Sequence, residues 1–114
     1  MRPIKAHEQR NLIVDDTLIT DLKRLGVVQT QYEFSRLCGK NPSYFSSMRT
    51  KGFGLKIGSL TFMSVRIRKR MEEIKDVRVN AVLTHADRLI QKAIEEKCRI
   101  QELGMDQWRE EIRC

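Results

Sequence analysis

Residues 30–48 read TQYEFSRLCGKNPSYFSSM, and this stretch decides the fold. Thr30-Gln31-Tyr32-Glu33 has the form of a capping box, in which the Thr hydroxyl accepts from the amide three residues on and the Glu reaches back to the cap amide. A helix therefore starts at Gln31. Its apolar face is Phe34, Leu37 and Cys38, and it stops at Gly39, the residue type that takes a left-handed conformation without a Cβ penalty. A second helix follows over about 42–50. Asn41 is a good N-cap, and Pro42 suits the first helical position because the N–H it lacks would have gone unpaired there. Phe45 and Met48 point inward. Ser35, small and in mid-helix, lets the second helix cross closely at a steep angle.

The charge around this stretch is one-sided. Between Phe34 and Met71 there are nine Lys or Arg and no Asp or Glu, while the whole chain carries +7, so everything else sums to about −2. Basicity is thus local. A field of one sign concentrated around two short helices is what attracts a phosphate backbone and displaces its counterions.

Two short helices joined by a Gly-containing turn make the unit whose second helix enters the major groove of DNA. In its residues this part of the chain resembles the lambda-repressor/Cro-like (Xre-type) family of helix-turn-helix regulators. Gln31 opens the first helix, Ser35 is the small residue one turn on, Gly39 makes the turn, and Phe45 and Met48 are the apolar positions of the second helix, all in the family's register. The match extends loosely to Leu18, Leu22 and Leu25 before it and to Leu60 and Met63 after it. Two residues depart from the pattern: Arg49 replaces the acid many members carry, and Ser35 stands where Ala is commoner. The resemblance implies a recognition helix, dimers on an inverted repeat as in prophage and plasmid-type repressors, and a Gln31 side chain that braces the recognition helix.

Helix geometry then names the contacts. With Phe45 and Met48 inward, Ser43, Tyr44, Ser46, Ser47 and Arg49 face outward with Asn41 and Pro42 at the leading edge, as candidates for base edges. Gln31, Lys40, Lys51 and Lys56 are placed for phosphates. Arg66, Arg68, Lys69 and Arg70 are read either as a solvated face or as further phosphate contacts.

Outside the stretch the chain reads as helix. Residues 1–14 mix charge and polar groups with no sustained period through Asn11 and are expected to form a flexible arm. From Asp15 or Asp16, either a plausible N-cap, Leu18, Ile19, Leu22 and Leu25 mark an amphipathic helix ending at Gly26. Residues 15–58 form the expected headpiece. Within it, Phe53, Leu55 and Ile57 alternate, which permits a short strand, but the surrounding glycines favour a loop. From Ser59, a cap candidate, Leu60, Met63, Ile67, Met71 and Ile74 form one helical seam; Val79, Val82, Ala86, Leu89, Ala93 and Ile100 form another, widened by Leu83, Ile90 and Ile94, up to Gly104. Residues 59–104 are therefore two long helices with more apolar surface than a small headpiece needs. Either they cover each other or a second chain covers them, and a homodimer through Ile67, Met71, Val82, Ala86, Leu89 and Ala93 is the expectation. Residues 105–114 form a tail in which Trp108, with Met105 and Ile112, is a packing anchor or interface residue.

The fold class expected is all-α, a small bundle. At 114 residues, 40% apolar and 32% charged, a second independent domain does not fit. No run of apolar residues is long enough for a membrane span and no secretory signal precedes the first helix, so a cytoplasmic location is expected. Cys38, Cys98 and Cys114 are odd in number and widely spaced, as reduced thiols are. His7, His85 and Cys98 lack metal-ligand spacing, no phosphate-cradling loop or nucleophile elbow is present, and no cofactor or catalysis is expected. The leading function is a sequence-specific, double-stranded-DNA-binding transcriptional regulator. The alternatives are a protein-interaction module on the same fold, such as an anti-activator or antidote protein, and an architectural or RNA binder, which the low aromatic content disfavours.

Overall fold

The computed structural model describes residues 6–113, with side chains described over residues 8–103. Five helices follow one another, α1 (Ala6–Arg24), α2 (Gln31–Leu37), α3 (Tyr44–Thr50), α4 (Ile57–Glu73) and α5 (Val77–Arg113), and no strand occurs among the described residues. The chain is all-α, as expected.

Local chemistry explains most of the boundaries. Thr30 caps α2 by accepting from the Glu33 amide at 3.1 Å, while the Glu33 carboxylate reaches one residue further back than expected, to the Gln29 amide. Helices α1, α2 and α3 close in the same way: Gly26, Gly39 and Gly52 have φ of 77°, 78° and 79°. At each, the residue after the glycine donates to a carbonyl five residues back (Val27 to Leu22, Lys40 to Ser35, Phe53 to Met48), the Schellman pattern that a left-handed glycine makes possible. Before α3, Asn41 Oδ1 accepts from the Ser43 amide at 3.1 Å and the Ser43 hydroxyl at 2.9 Å. That is a cap-type bond to a turn, and the α-helix proper begins at Tyr44. Helix α5 is capped by Asp76, whose Oδ1 accepts from Arg78 and Val79.

Helices α4 and α5, joined by a short connection, run antiparallel and zip along their length. Ser64 donates to Asp87, Arg68 pairs with Asp87 at 2.9 Å, and Gln91 donates to Ser64 at 2.8 Å. Helix α5 also lies along α1, so one core runs through Leu18, Leu22, Phe34, Phe45, Leu60, Met63 and Ile90. No described helix is long and apolar enough to cross a membrane.

Four boundary expectations are corrected. The segment 1–14 is not an arm throughout, because α1 starts at Ala6; its inner side, including Asn11, faces the loop between α3 and α4, a polar contact that leaves no apolar period to read. Asp15 and Asp16 consequently sit inside α1 and cap nothing. Helix α4 starts at Ile57, and Ser59 is buried in its first turn. Gly104 does not end α5, whose backbone continues through residues 105–113; the side chains of Met105, Trp108 and Ile112 lie outside those described.

The dimer seam is corrected as well. Ile67, Ala86 and Ala93 are buried in the core of a single chain, and Met71 and Leu89 are half-buried against it; among the six residues only Val82 is open, at 36%. The long helices cover each other and α1. The buried line on α5 is Ala86, Ile90, Ala93, Lys97 and Ile100, rotated from the expected Val79–Val82 start because those two valines are exposed.

Candidate functional site

Helix α3 is set by α2. The Phe34 and Phe45 rings meet edge to face with centroids 5.0 Å apart, and the Ser35 hydroxyl, fully buried, accepts from the Phe45 amide at 3.0 Å. Ser35 thus does more than leave room: it satisfies an orphan N–H in the first turn of α3, which a hydrocarbon side chain would leave unpaired.

With that crossing fixed, Asn41, Pro42, Ser43, Ser46 and Ser47 are exposed, and so are Gln31, Lys40, Lys51 and Lys56. Thr50, one turn beyond Ser46 and also exposed, belongs to the same face; the i, i+4 step from Ser46 was the signal for it. Two hydroxyls on this face donate back to their own helix, Ser46 to the Ser43 carbonyl at 3.2 Å and Thr50 to the Ser46 carbonyl at 2.9 Å, which leaves their oxygens as acceptors for a ligand. The Gln31 side chain makes no hydrogen bond to α3 among the described residues.

Two of the candidate contacts have neighbours of their own. Arg49, exposed, pairs with Asp16 of α1. Tyr44 is half-buried, with the Lys40 ammonium 5.5 Å from its ring centre. Lys40, Lys51 and Lys56 have no acidic partner among the described residues. Of the basic residues on α4, Arg66 donates to the Arg36 carbonyl, Arg68 pairs with Asp87 and Arg70 with Glu73.

Behind α3 lies a group that sequence reasoning missed. Asp15 and Lys97, 1% and 2% exposed, form an ion pair with Oδ1–Nζ of 2.7 Å. Both also hold the backbone of Leu55: the Leu55 amide donates to Asp15 Oδ2 at 2.7 Å, and Lys97 Nζ donates to the Leu55 carbonyl at 2.6 Å. One residue of the loop after α3 is thereby bound to α1 and α5 together. Burial pushes the Asp15 carboxyl above the ordinary carboxylate range against the opposing pull of Lys97, and burial likewise pushes the Lys97 ammonium below its ordinary value. Removing both charges from water costs free energy that their mutual attraction has to offset, so such a pair is weak evidence for added stability.

Residues 16–109 match a family described as of unknown function, DUF6626. The chain belongs to that family. Its matched span begins inside α1 at Asp16, the partner of Arg49, and takes in α2, α3, α4 and Lys97. No curated protein and no solved structure matches the chain.

Proposed function

We propose that this DUF6626 protein is a sequence-specific DNA-binding regulator, a repressor in the sense of the lambda-repressor/Cro-like resemblance, with α3 as its recognition helix. The carrying observation is the α2–α3 crossing built on Ser35 and Phe45. It turns a face of Ser43, Ser46, Ser47 and Thr50 outward, near lysines that lack acidic partners among the described residues. Hydroxyl oxygens on such a face can meet base edges, and Lys40, Lys51 and Lys56 can meet phosphates on either side. Arg49 is removed from the base-reading set. Arg49, which stands where many members of the resembling family carry an acid, here pairs with Asp16 of α1.

Binding an inverted repeat requires two copies. With the α4–α5 seam closed inside one chain, one surface that a second copy could cover is an apolar groove of about 230 Å³ between α1 and α5, lined by Ile13, Val14, Leu18, Leu89 and Ala93, with Ile13 at 63% exposure. Lys92 stands on its rim with Asp21 and Glu96, opposite signs that can face each other across a two-fold axis.

The test is a titration against the upstream DNA of its own gene and against a scrambled duplex at about 50 and 200 mM salt. Lys40→Ala with Lys51→Ala should weaken both duplexes and flatten the salt slope. Ser46→Ala should cost about 1–3 kcal/mol on the specific duplex alone. Absence of binding to either duplex would refute the reading, and equal binding to both would make the protein an architectural binder. Light scattering tests the two-copy part: the unaltered chain should run as a dimer and Ile13→Glu as a monomer.

A further inference from the structure

The stretch between α3 and α4 is short, and its backbone has few bonds of its own. At one end Phe53 donates to the Met48 carbonyl and closes α3; at the other Ser59 donates to the Lys56 carbonyl and opens α4. Leu55 lies between them and takes part in neither helix. Its two backbone groups are instead held by side chains distant in sequence, the amide donating to Asp15 Oδ2 of α1 and the carbonyl accepting from Lys97 Nζ of α5.

These two bonds fix more than one residue. A peptide unit is planar, so the Leu55 carbonyl lies in one plane with the nitrogen and Cα of Lys56, and the Leu55 amide in one plane with the Cα of Gly54. Holding both groups therefore sets the direction in which the chain enters Lys56. The Leu55 side chain, 4% exposed, anchors the loop in the core, and the two backbone bonds decide which way its peptide units turn. The fit is close. A Cβ added at Gly54 would stand 3.1 Å from Asp15 Oδ2 and 3.3 Å from Lys97 Nζ, with Asn11 Cβ at 2.9 Å. Nor can either side chain swing away, because each is almost wholly buried and its departure would leave the other's charge unpaired out of water. Lys56 itself is exposed and has no acidic partner among the described residues.

We propose that Asp15 and Lys97 are positioning residues for DNA binding, which aim Lys56 at a phosphate by fixing the peptide unit before it. A lysine aimed in advance loses less conformational freedom on contact than one carried by a loose loop. This role rests on the DNA-binding reading above and names what holds one of its phosphate contacts.

The test compares the full unaltered chain with Asp15→Leu/Lys97→Met on the upstream duplex. The two changes remove one charge of each sign, so the net charge stays at +7 and long-range attraction to DNA is kept. Loss of one phosphate contact should make the fall in affinity between about 50 and 200 mM salt smaller by about 3–4-fold. Lys56→Gln should do the same in the unaltered chain and add little in the double variant, where the contact is already lost. A pair that only stabilises the fold behaves differently: a lower folded fraction scales affinity equally at both salt concentrations, and Lys56→Gln keeps its full effect. Should the double variant lose its helix by circular dichroism, Gly54→Ala takes its place, since it leaves every charge present and presses on the same contact; the same change in salt dependence is expected of it. With no DNA present, hydrogen exchange at the Leu55 amide of the unaltered chain should be as slow as at buried helical residues such as Leu22. Exchange at the rate of an open loop overturns the proposal. So does an unchanged salt dependence in a variant that keeps its fold and binds DNA, an outcome in which this role alone fails. If the unaltered chain binds neither the upstream nor the scrambled duplex, the DNA-binding reading fails and this role fails with it.

Discussion

Replacing Lys97 with Met removes the ammonium and keeps most of the side-chain volume. Asp15, 1% exposed, is then left with the Leu55 amide as its hydrogen bond among the described contacts, and the Leu55 carbonyl loses its donor. Breaking one side of a buried pair costs about 3–5 kcal/mol, a large part of the roughly 5–15 kcal/mol that holds a domain of this size together. At this chain length that corresponds to a fall of about 10–20 °C in melting temperature. The loss should depend on pH with a definite sign. Without Lys97 only the Leu55 amide opposes the burial that already raises the Asp15 carboxyl, so its folded pKa rises further above the unfolded value. The folded state then binds the proton more tightly than the unfolded state, and stability falls as pH rises from about 4 through the folded pKa. Lys97→Met should therefore be closest to the unaltered protein near pH 4 and furthest from it at pH 7 and above. Replacing both partners, Asp15→Leu with Lys97→Met, should recover part of the loss at pH 7 and abolish the added pH dependence, with the unpaired Leu55 amide and carbonyl accounting for the remainder. Urea denaturation followed by circular dichroism at several pH values measures all of this. A Lys97→Met protein within about 1 kcal/mol of the parent at pH 7 would refute the reasoning.

Ile67→Glu should unfold the chain, since Ile67 is 3% exposed within the α4–α5 core; retention of helix by circular dichroism together with a monomeric state would instead restore the dimer seam expected from the sequence. Gly54→Ala must displace Asn11 or the Asp15–Lys97 pair and should cost about 1–3 kcal/mol in urea titration, a change that would be absent were the loop free to shift. Cys98 is exposed, whereas burial pushes the Cys38 thiol up to about 12, so iodoacetamide near pH 8 should modify Cys98 and spare Cys38 in a peptide map; equal labelling would mean that the core around Met63 opens readily.

The parts of the fold legible in the sequence are those decided by neighbours along the chain. The cap at Thr30, the stops at Gly26 and Gly39 and the inward Phe34 and Phe45 depend on local bonds and helical period, and all of them stand. What escaped was decided by contacts distant in sequence. Lys97 occupies the buried line of α5, but a charge there interrupts the apolar period, so the period of the sequence runs one step to the side, through Leu89 instead of Ile90. Asp15 has the sequence position of a cap, an acid before an apolar run; nothing near it announces a cation about eighty residues away. The same holds for the exposed face of α3. Its serines could be assigned from the period, whereas the withdrawal of Arg49 depended on Asp16.

The bond between Lys97 and Leu55 also bears on how the chain is made. During synthesis the N-terminal helices leave the ribosome first, while a domain generally folds as a unit. Here α1, α2 and α3 emerge with Asp15 unmatched, the Leu55 carbonyl open, and no α5 to lie along α1. Whatever these helices do in isolation, the arrangement that orients the loop after α3 waits for a residue well into the last helix. A nascent chain stopped within α4 has the whole candidate surface in sequence, with Asp15 and Ser35 behind it, but lacks the Lys97 half of the support, which arrives only late in translation.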